Sequence, residues 1–190
     1  MGRWKPDARE RLEKASLELF LERGYENTTV ALIAERAGLT TRTFFRHFAD
    51  KREVLFGGQE ILTRLFASAI AEAPATAAPI DAAGAALEAA AEVFVGDRRA
   101  LARQRQQIIA GNSELQEREM LKRARMSSAM VDALHERGVA EPTASLAAEF
   151  AGLAFRTAFA RWVAPGGEED FGELARAALQ ELRAATTALA

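Results

Sequence analysis

Apolar residues recur every three or four positions along most of the chain, which is the period of one face of an α-helix. In the first such segment the apolar stripe comprises Leu12, Ala15, Leu19 and Phe20. Glycine, proline and short Asn/Ser clusters interrupt the pattern where helices end or begin. The pattern predicts an all-α fold of nine helices, over residues 7–23, 30–37, 41–48, 51–70, 81–95, 98–110, 113–137, 143–163 and 168–189, with a break at Gly96-Asp97.

The composition strengthens this prediction and excludes several kinds of site. Of the 190 residues, 42 are Ala, the best helix former, against 5 Pro and 1 Tyr. Cysteine is absent and the two histidines, His47 and His135, lie far apart in the sequence, so we expect no disulfide, no metal site and no cofactor. No run of 18 apolar residues occurs, and we expect a cytoplasmic protein with no membrane partner.

The charges are distributed unevenly along a chain whose net charge is −2. Residues 1–52 carry 11 Lys/Arg and 8 Asp/Glu, a net +3, whereas residues 53–190 carry 14 and 19, a net −5. A basic head on an acidic body indicates that one end meets an anionic partner. The sequence thus predicts two domains, a basic head over 1–52 and a larger body over 53–190.

The motif with the most specific chemistry is at residues 29–48, where two short predicted helices flank a turn at Gly38. Two such helices joined by a glycine turn are typical of a helix-turn-helix. Thr29 and Thr40 are suited to cap the two helices, and Ala34 is small enough for a close crossing. The predicted inward-facing side chains are Ile33, Ala37, Leu39, Phe44 and Phe48.

The opposite face of the second helix carries hydroxyls and cations but no carboxylate. Such a face suits the phosphates and base edges of double-stranded DNA. The outward-facing residues are Thr41, Arg42, Phe45 and Arg46, with Thr43 and His47 at the margins.

Three stretches of this head resemble the TetR family of bacterial transcriptional regulators over about residues 8–56. They are Phe20-Leu-Glu-Arg-Gly-Tyr25, Thr28-Thr-Val…Ile33-Ala-Glu-Arg-Ala-Gly38 and Thr43-Phe-Phe-Arg-His-Phe-Ala-Asp-Lys51. The resemblance implies that Thr41 and Arg42 read bases. It implies phosphate contacts by Thr29, Thr43, His47 and Lys51.

The chain departs from the family pattern at two positions of the head. Phe45 occupies the place of the usual Tyr, so that hydroxyl-to-phosphate bond cannot form, and Ala31 replaces a common basic residue. Either the affinity for DNA is lower, or Arg36 and Arg46 compensate.

The resemblance also implies that the body binds a small effector and forms a homodimer. The last helix has one apolar stripe, and the helix before it is apolar on two sides, so that one side can face its own core and the other a partner. A purely intramolecular bundle is the alternative. The predicted dimer contacts are Phe150, Trp162, Phe171, Leu174, Ala178 and Leu182.

Two arginines lie among apolar residues without an acidic neighbour three or four positions away. A cation in that position needs a distant partner. The partner is either an anionic head group of the effector or a carboxylate such as Glu149 or Glu119. The candidate residues for binding a small apolar or anionic effector are Arg105, Ile109, Phe155, Arg156 and Phe159.

Three functions remain in competition. A ligand-responsive DNA-binding regulator, most simply a repressor, agrees with the head and the body. An architectural or non-liganded DNA-binding protein would share the head but lack an effector cavity. An enzyme is disfavoured, because no nucleophile–base pair, glycine-rich phosphate loop or metal-ligand spacing occurs.

Overall fold

A computed structural model describes residues 7–95 and 98–189, except for the side chain of Leu189. Within these residues it contains nine α-helices and no strand, which confirms the predicted fold class. The helices are α1 Ala8–Arg23, α2 Val30–Arg36, α3 Thr41–His47, α4 Glu53–Glu72, α5 Pro79–Val93, α6 Arg98–Ala110, α7 Ser113–Glu136, α8 Thr143–Trp162 and α9 Phe171–Leu189. The break predicted at Gly96-Asp97 lies outside the described residues.

Three helices begin away from their predicted positions, for local reasons. Helix α4 begins at Glu53 because the Asp50 carboxylate accepts the backbone N–H groups of Arg52 and Glu53. Helix α5 begins earlier, with Pro79 in its first turn, where a missing N–H costs nothing. Helix α9 begins later than predicted, after Asp170, whose carboxylate accepts the N–H of Gly172 at 2.8 Å.

The described chain divides into two compact units, which differ from the predicted domains. Unit 1 comprises residues up to Gly58 together with Gln104–Glu119, and unit 2 comprises Gln59–Arg103 and the residues from Met120 onward. The division falls inside α4, α6 and α7. Hence the packed head is larger than the predicted 1–52, because a second stretch of chain completes its core.

Unit 1 is built on α1, α2 and α3 with the start of α4. Its buried core contains the predicted Leu12, Leu19, Ile33, Phe44 and Phe48. From Gln104–Glu119 it takes three further buried side chains, Ile108, Ile109 and Leu115.

Unit 2 is built mainly on α5, α8 and α9, which pack against one another. Its core is rich in alanine, including Ala82, Ala86 and Ala90 of α5 and Ala147, Ala151 and Ala158 of α8. Small side chains allow helices to approach closely. The space left by them is filled by large side chains, of which Phe66 and Phe171 are fully buried.

Helix α4 is long and apolar enough, by length and composition, to cross a membrane. One such helix is weak support for a membrane span. Phe56, Phe66 and Ile70 of α4 are fully buried in the two cores, and burial alone explains their apolar character.

Candidate nucleic-acid interface

The turn between α2 and α3 has the geometry that the predicted helix-turn-helix requires. Gly38 has φ +64°, a left-handed conformation that costs least for glycine. Its N–H donates to the Glu35 carbonyl at 2.9 Å, and the Leu39 N–H donates to the Ala34 carbonyl at 2.8 Å. This pair of bonds closes the end of α2 as a Schellman motif. Arg11 of α1 braces the same turn by donating to the carbonyls of Ala37 and Gly38.

Both predicted caps are confirmed. The Thr29 hydroxyl accepts the Leu32 N–H at 3.3 Å, and the Thr40 hydroxyl accepts the Thr43 N–H at 3.1 Å. Thr40 and Thr43 also share a hydroxyl–hydroxyl contact of 3.0 Å. Thr29 and Thr40 are exposed and Thr43 is half-buried. These hydroxyls therefore fix the starts of α2 and α3.

Helix α3 has one buried face and one exposed face, as predicted. Phe44 and Phe48, four residues apart, are buried against each other with ring centroids 5.4 Å apart. The exposed side chains are Thr41, Arg42, Phe45 and Arg46.

The three arginines of this region differ in their partners. Arg36 of α2 donates two hydrogen bonds of 2.9 Å to the Glu22 carboxylate, so its charge is neutralised within the head. These bonds lower the pKa of Glu22. Arg42 and Arg46 make no ion pair with any other residue in the described part of the chain. Of the two arginines expected to compensate for Ala31, only Arg46 is left with an unneutralised charge.

Lys51 is placed differently from a simple surface cation. Its ammonium donates to the carbonyls of Tyr25 at 2.8 Å and Thr28 at 2.9 Å, and lies 4.0 Å from the centroid of the Tyr25 ring. Burial lowers the pKa of Lys51. Two of its three N–H groups thus hold the α1–α2 connector in place, and its predicted phosphate contact remains a prediction.

His47 lies at the margin of the exposed face, half-buried beside Phe48. Its Nε2 atom is buried and has no hydrogen-bond partner among the described residues. The predicted phosphate contact of His47 remains a prediction.

A second stretch of chain supports the head, and the sequence did not reveal it. We call residues 104–119, the end of α6 and the start of α7, the α6–α7 corner. Its Glu114 accepts from Arg52 at 2.7 Å, and its Asn112 side chain donates to the Glu26 carboxylate at 2.6 Å. Arg118 donates to Glu53 at 2.9 Å through Nε. These contacts fix the connector and the start of α4. The only sequence signal for them was the Asn112-Ser113 break.

The sequence of the head matches known proteins. Residues 13–56 match the model of the bacterial regulatory proteins of the tetR family. The helix-turn-helix segment of this chain is thus similar to that family. Over 81 residues, which make up 43% of this chain and 36% of the relative, the sequence is 43% identical to the HTH-type transcriptional regulator TcmR of Streptomyces glaucescens. The chain thus matches little more than a third of that relative's length.

Solved structures share the fold over nearly the whole chain. A triclosan complex of SmeT, the repressor of the Stenotrophomonas maltophilia multidrug efflux pump SmeDEF, superposes with a TM-score of 0.66 at 20% identity, covering 95% of this chain and 91% of SmeT. Thermus thermophilus FadR, a TetR-family repressor in complex with lauroyl-CoA, superposes with a TM-score of 0.50 at 23% identity, covering 92% of each chain. At these identities the likeness shows the TetR fold.

The candidate effector residues of this chain are divided between the two units. Arg105 and Ile109 belong to unit 1. Ile109 is buried in the core of the head, and Arg105 donates to the Leu55 carbonyl at 2.6 Å and to Glu119 at 3.3 Å. Of the two partners considered for Arg105, a carboxylate and an effector, the structure provides the carboxylate Glu119.

The other three candidate effector residues lie on α8 in unit 2. The Phe155 and Phe159 rings are stacked, with centroids 6.0 Å apart, and both contact Phe94. Arg156, the residue after Phe155 in the sequence, is half-buried. These three share one unit, and their role in binding an effector remains a prediction.

Most of the predicted dimer contacts are buried within unit 2. Phe171 and Ala178 are fully buried, Trp162 is 2% exposed and Leu174 is 6% exposed. Side chains with so little surface leave little area for a partner, because they pack into the core of their own unit. A dimer contact by these four remains a prediction. Phe150 and Leu182 are half-buried. The exposed apolar side of α8 carries Leu146 and Leu153, which are 59% and 42% exposed.

Proposed function

We propose that this protein is a transcriptional regulator, most simply a repressor, which binds a pseudo-palindromic DNA operator as a homodimer. The observation that carries the proposal is the exposed face of α3. Arg42 and Arg46 lie on this face and have no ion-pair partner among the described residues. The helix that carries them is held in place by its capped start and by the buried side chain of Phe44. Cations left unpaired on a rigid recognition helix suit the phosphates and base edges of the major groove.

A homodimer is proposed because one helix-turn-helix reads too few base pairs for useful specificity. The apolar side of α8 offers a surface for it. Leu146, Phe150 and Leu153 are spaced by four and three residues, so they lie along one side of α8. We propose that this side meets its own copy in a symmetric contact.

Release by a small effector completes the proposal. The aromatic cluster of unit 2 around Phe155 and Phe159 suits an apolar ligand, and Arg156 suits an acidic group on it. Proteins of this fold have been solved with triclosan, in SmeT, and with lauroyl-CoA, in FadR. An architectural DNA-binding protein that binds no effector is the alternative.

The DNA-binding part is tested by selecting bound duplexes from a random pool and footprinting the product. We expect two protected half-sites about one helical turn apart. Arg42→Ala combined with Arg46→Ala should remove the footprint, while Arg36→Ala, which alters a cation already paired with Glu22, should preserve it. Failure of the wild-type protein to enrich any sequence would contradict the proposal.

The dimer is tested with charged substitutions on α8. Leu146→Glu with Leu153→Glu should give folded monomers in sedimentation and lose the operator footprint. Met120→Glu with Leu121→Glu is the matched control, because these α7 side chains are similarly exposed, at 67% and 52%. The α8 contact is wrong if the α8 variant stays dimeric.

The selected operator then separates the regulator from the architectural alternative. A panel of small apolar acids and neutral aromatic compounds is screened for release of the operator. The regulator predicts release by some compounds and its loss in Phe159→Ala. Release that persists unchanged in Phe159→Ala would contradict the assigned site, and no release by any compound would favour the alternative.

A further inference from the structure

Phe45 is a bare aromatic ring in the middle of the proposed DNA-reading surface. Its side chain is 58% exposed, and among the described residues it is the only aromatic of the exposed large hydrophobics. Thr41 and Arg42 lie four and three positions before it on α3, so the three side chains share one helix face. An apolar group is thus presented beside the residues expected to read bases.

The ring of Phe45 is held in place by the core beneath it. It meets Phe44 edge-to-face, with centroids 5.5 Å apart and planes at 83°. Phe44 itself is fully buried, so it provides a rigid support. A ring that is positioned before binding loses little conformational entropy on contact with DNA.

The chemistry of the ring restricts what it can recognise. A phenyl group has no hydroxyl and cannot donate a hydrogen bond to a phosphate. In the major groove the edges of the bases present donors and acceptors, and thymine alone adds an apolar group, its C5-methyl. We propose that Phe45 is a specificity-determining residue that packs on the C5-methyl of one thymine in each half-site. This inference rests on the proposed function, in which α3 enters the major groove.

The proposal is tested with the full chain and with duplexes selected from a random pool. Each thymine of the selected half-sites is replaced in turn by deoxyuridine, which keeps the base pair and lacks only the methyl group. Burial of one such carbon group is worth about 0.8 kcal/mol, or about fourfold in affinity. At one position we expect replacement to weaken wild-type binding by about fourfold for one half-site and about 15-fold for both.

Variants connect this loss to the ring. Phe45→Ala should bind the thymine and deoxyuridine duplexes equally at that position, and Phe45→Leu should retain most of the difference. Arg42→Ala is the control, since it should bind more weakly overall and keep the difference. Thermal unfolding of each variant checks that the head is intact.

Two results would overturn the inference. One is wild-type binding that is indifferent to deoxyuridine at every position, and the other is a loss on replacement that persists in Phe45→Ala. Both leave operator binding itself in place. Failure of the proposed function is seen separately, as the absence of any selected duplex.

Discussion

Particular arginines of the two units differ in whether the chain itself provides their partners. In unit 2, Arg99 and Arg103 of α6 donate to carbonyls at and beyond the end of α8, and Arg103 does so at 2.8 Å and 2.7 Å. Arg137 donates to the carbonyls of Ala73 and Pro74 in the same unit. In unit 1, Arg42 and Arg46 of α3 have no such partner among the described residues. The named arginines of unit 2 are satisfied by the chain, whereas Arg42 and Arg46 are left for the anionic ligand that we propose.

The units also differ in which apolar side chains they bury and which they leave exposed. The head buries Phe44 and Phe48 and leaves Phe45 exposed on a polar face. Unit 2 buries Phe171, Leu174 and Ala178 of the α9 stripe and leaves Leu146 and Leu153 of α8 exposed. In each unit one of the exposed apolar features thus lies at the surface at which we propose binding.

The largest expected effect comes from the two cores. Phe44 in unit 1 and Phe171 in unit 2 are both fully buried. Replacement of either by Ala should lower the free energy of unfolding by about 3–5 kcal/mol, since it removes a large side chain and leaves a cavity. Urea unfolding measures the loss. Phe45→Ala is the control, because its exposed ring should change stability by no more than about 0.5 kcal/mol. Equal losses in Phe44→Ala and Phe45→Ala would contradict the two faces of α3.

The sequence was sufficient to predict the helices, the caps and the faces of α3. The caps at Thr29 and Thr40 and the turn at Gly38 could be predicted because capping and left-handed turns depend on neighbouring residues in the sequence. Phe44 and Phe48 were readable because helical periodicity places them on one side.

The partners of the charged residues could not be predicted, because they depend on contacts distant in sequence. Arg36 is neutralised by Glu22, 14 residues away, and Arg52 reaches Glu114, 62 residues away. The same limit applies to α9. Its stripe of Phe171, Leu174 and Ala178 has the pattern of a dimer contact and of a core equally, and only tertiary packing separates them.

A comparison of two arginines gives the next largest effect. Arg42→Ala should lower operator affinity by about 1–3 kcal/mol and relax the preference at one base of each half-site. Arg36→Ala should change the affinity by no more than about 0.5 kcal/mol, because its cation already pairs with Glu22. Equilibrium binding at fixed salt measures both. An equal loss in the two variants would show that ion pairing inside the head does not determine which arginines contact DNA.

Lys51 is expected both to stabilise the head and to contact DNA. Lys51→Met removes the donor to the Tyr25 and Thr28 carbonyls and should lower the free energy of unfolding by about 1–2 kcal/mol. Its remaining N–H should contribute to DNA binding without regard to sequence, so the variant should weaken all duplexes alike and flatten the salt dependence. Unfolding and salt titration are measured on the same protein. A base-specific loss, or unchanged stability, would contradict this dual role.

The smallest expected effect concerns Asp50 at the start of α4. Burial raises the pKa of its carboxyl, but hydrogen bonds from the Arg52 side chain and from the Glu53 and Arg52 backbone outweigh burial, so the pKa is below its ordinary value of 3.8. A carboxyl with a depressed folded-state pKa stabilises the fold above its unfolded-state pKa, and that contribution is lost as the pH falls through the folded-state pKa. Asp50→Ala should therefore cost about 0.5–2 kcal/mol at neutral pH, as the loss of a helix cap does.

The pH dependence of that loss of stability distinguishes the contribution of the Asp50 charge from that of its hydrogen-bond-accepting oxygen. The stability difference between wild type and Asp50→Ala should be constant from pH 7 to about pH 5 and should shrink below pH 3.8, as the wild-type carboxyl becomes protonated. Asp50→Asn keeps an oxygen that accepts the backbone N–H groups but cannot ionise. The difference between Asp50→Asn and Asp50→Ala should therefore not change with pH. Urea unfolding at several pH values measures both differences. If the wild-type advantage instead grows as the pH falls from 7 to about 5, the folded-state pKa of the carboxyl is raised rather than lowered, and the bonds to Arg52 and Glu53 do not stabilise its charge.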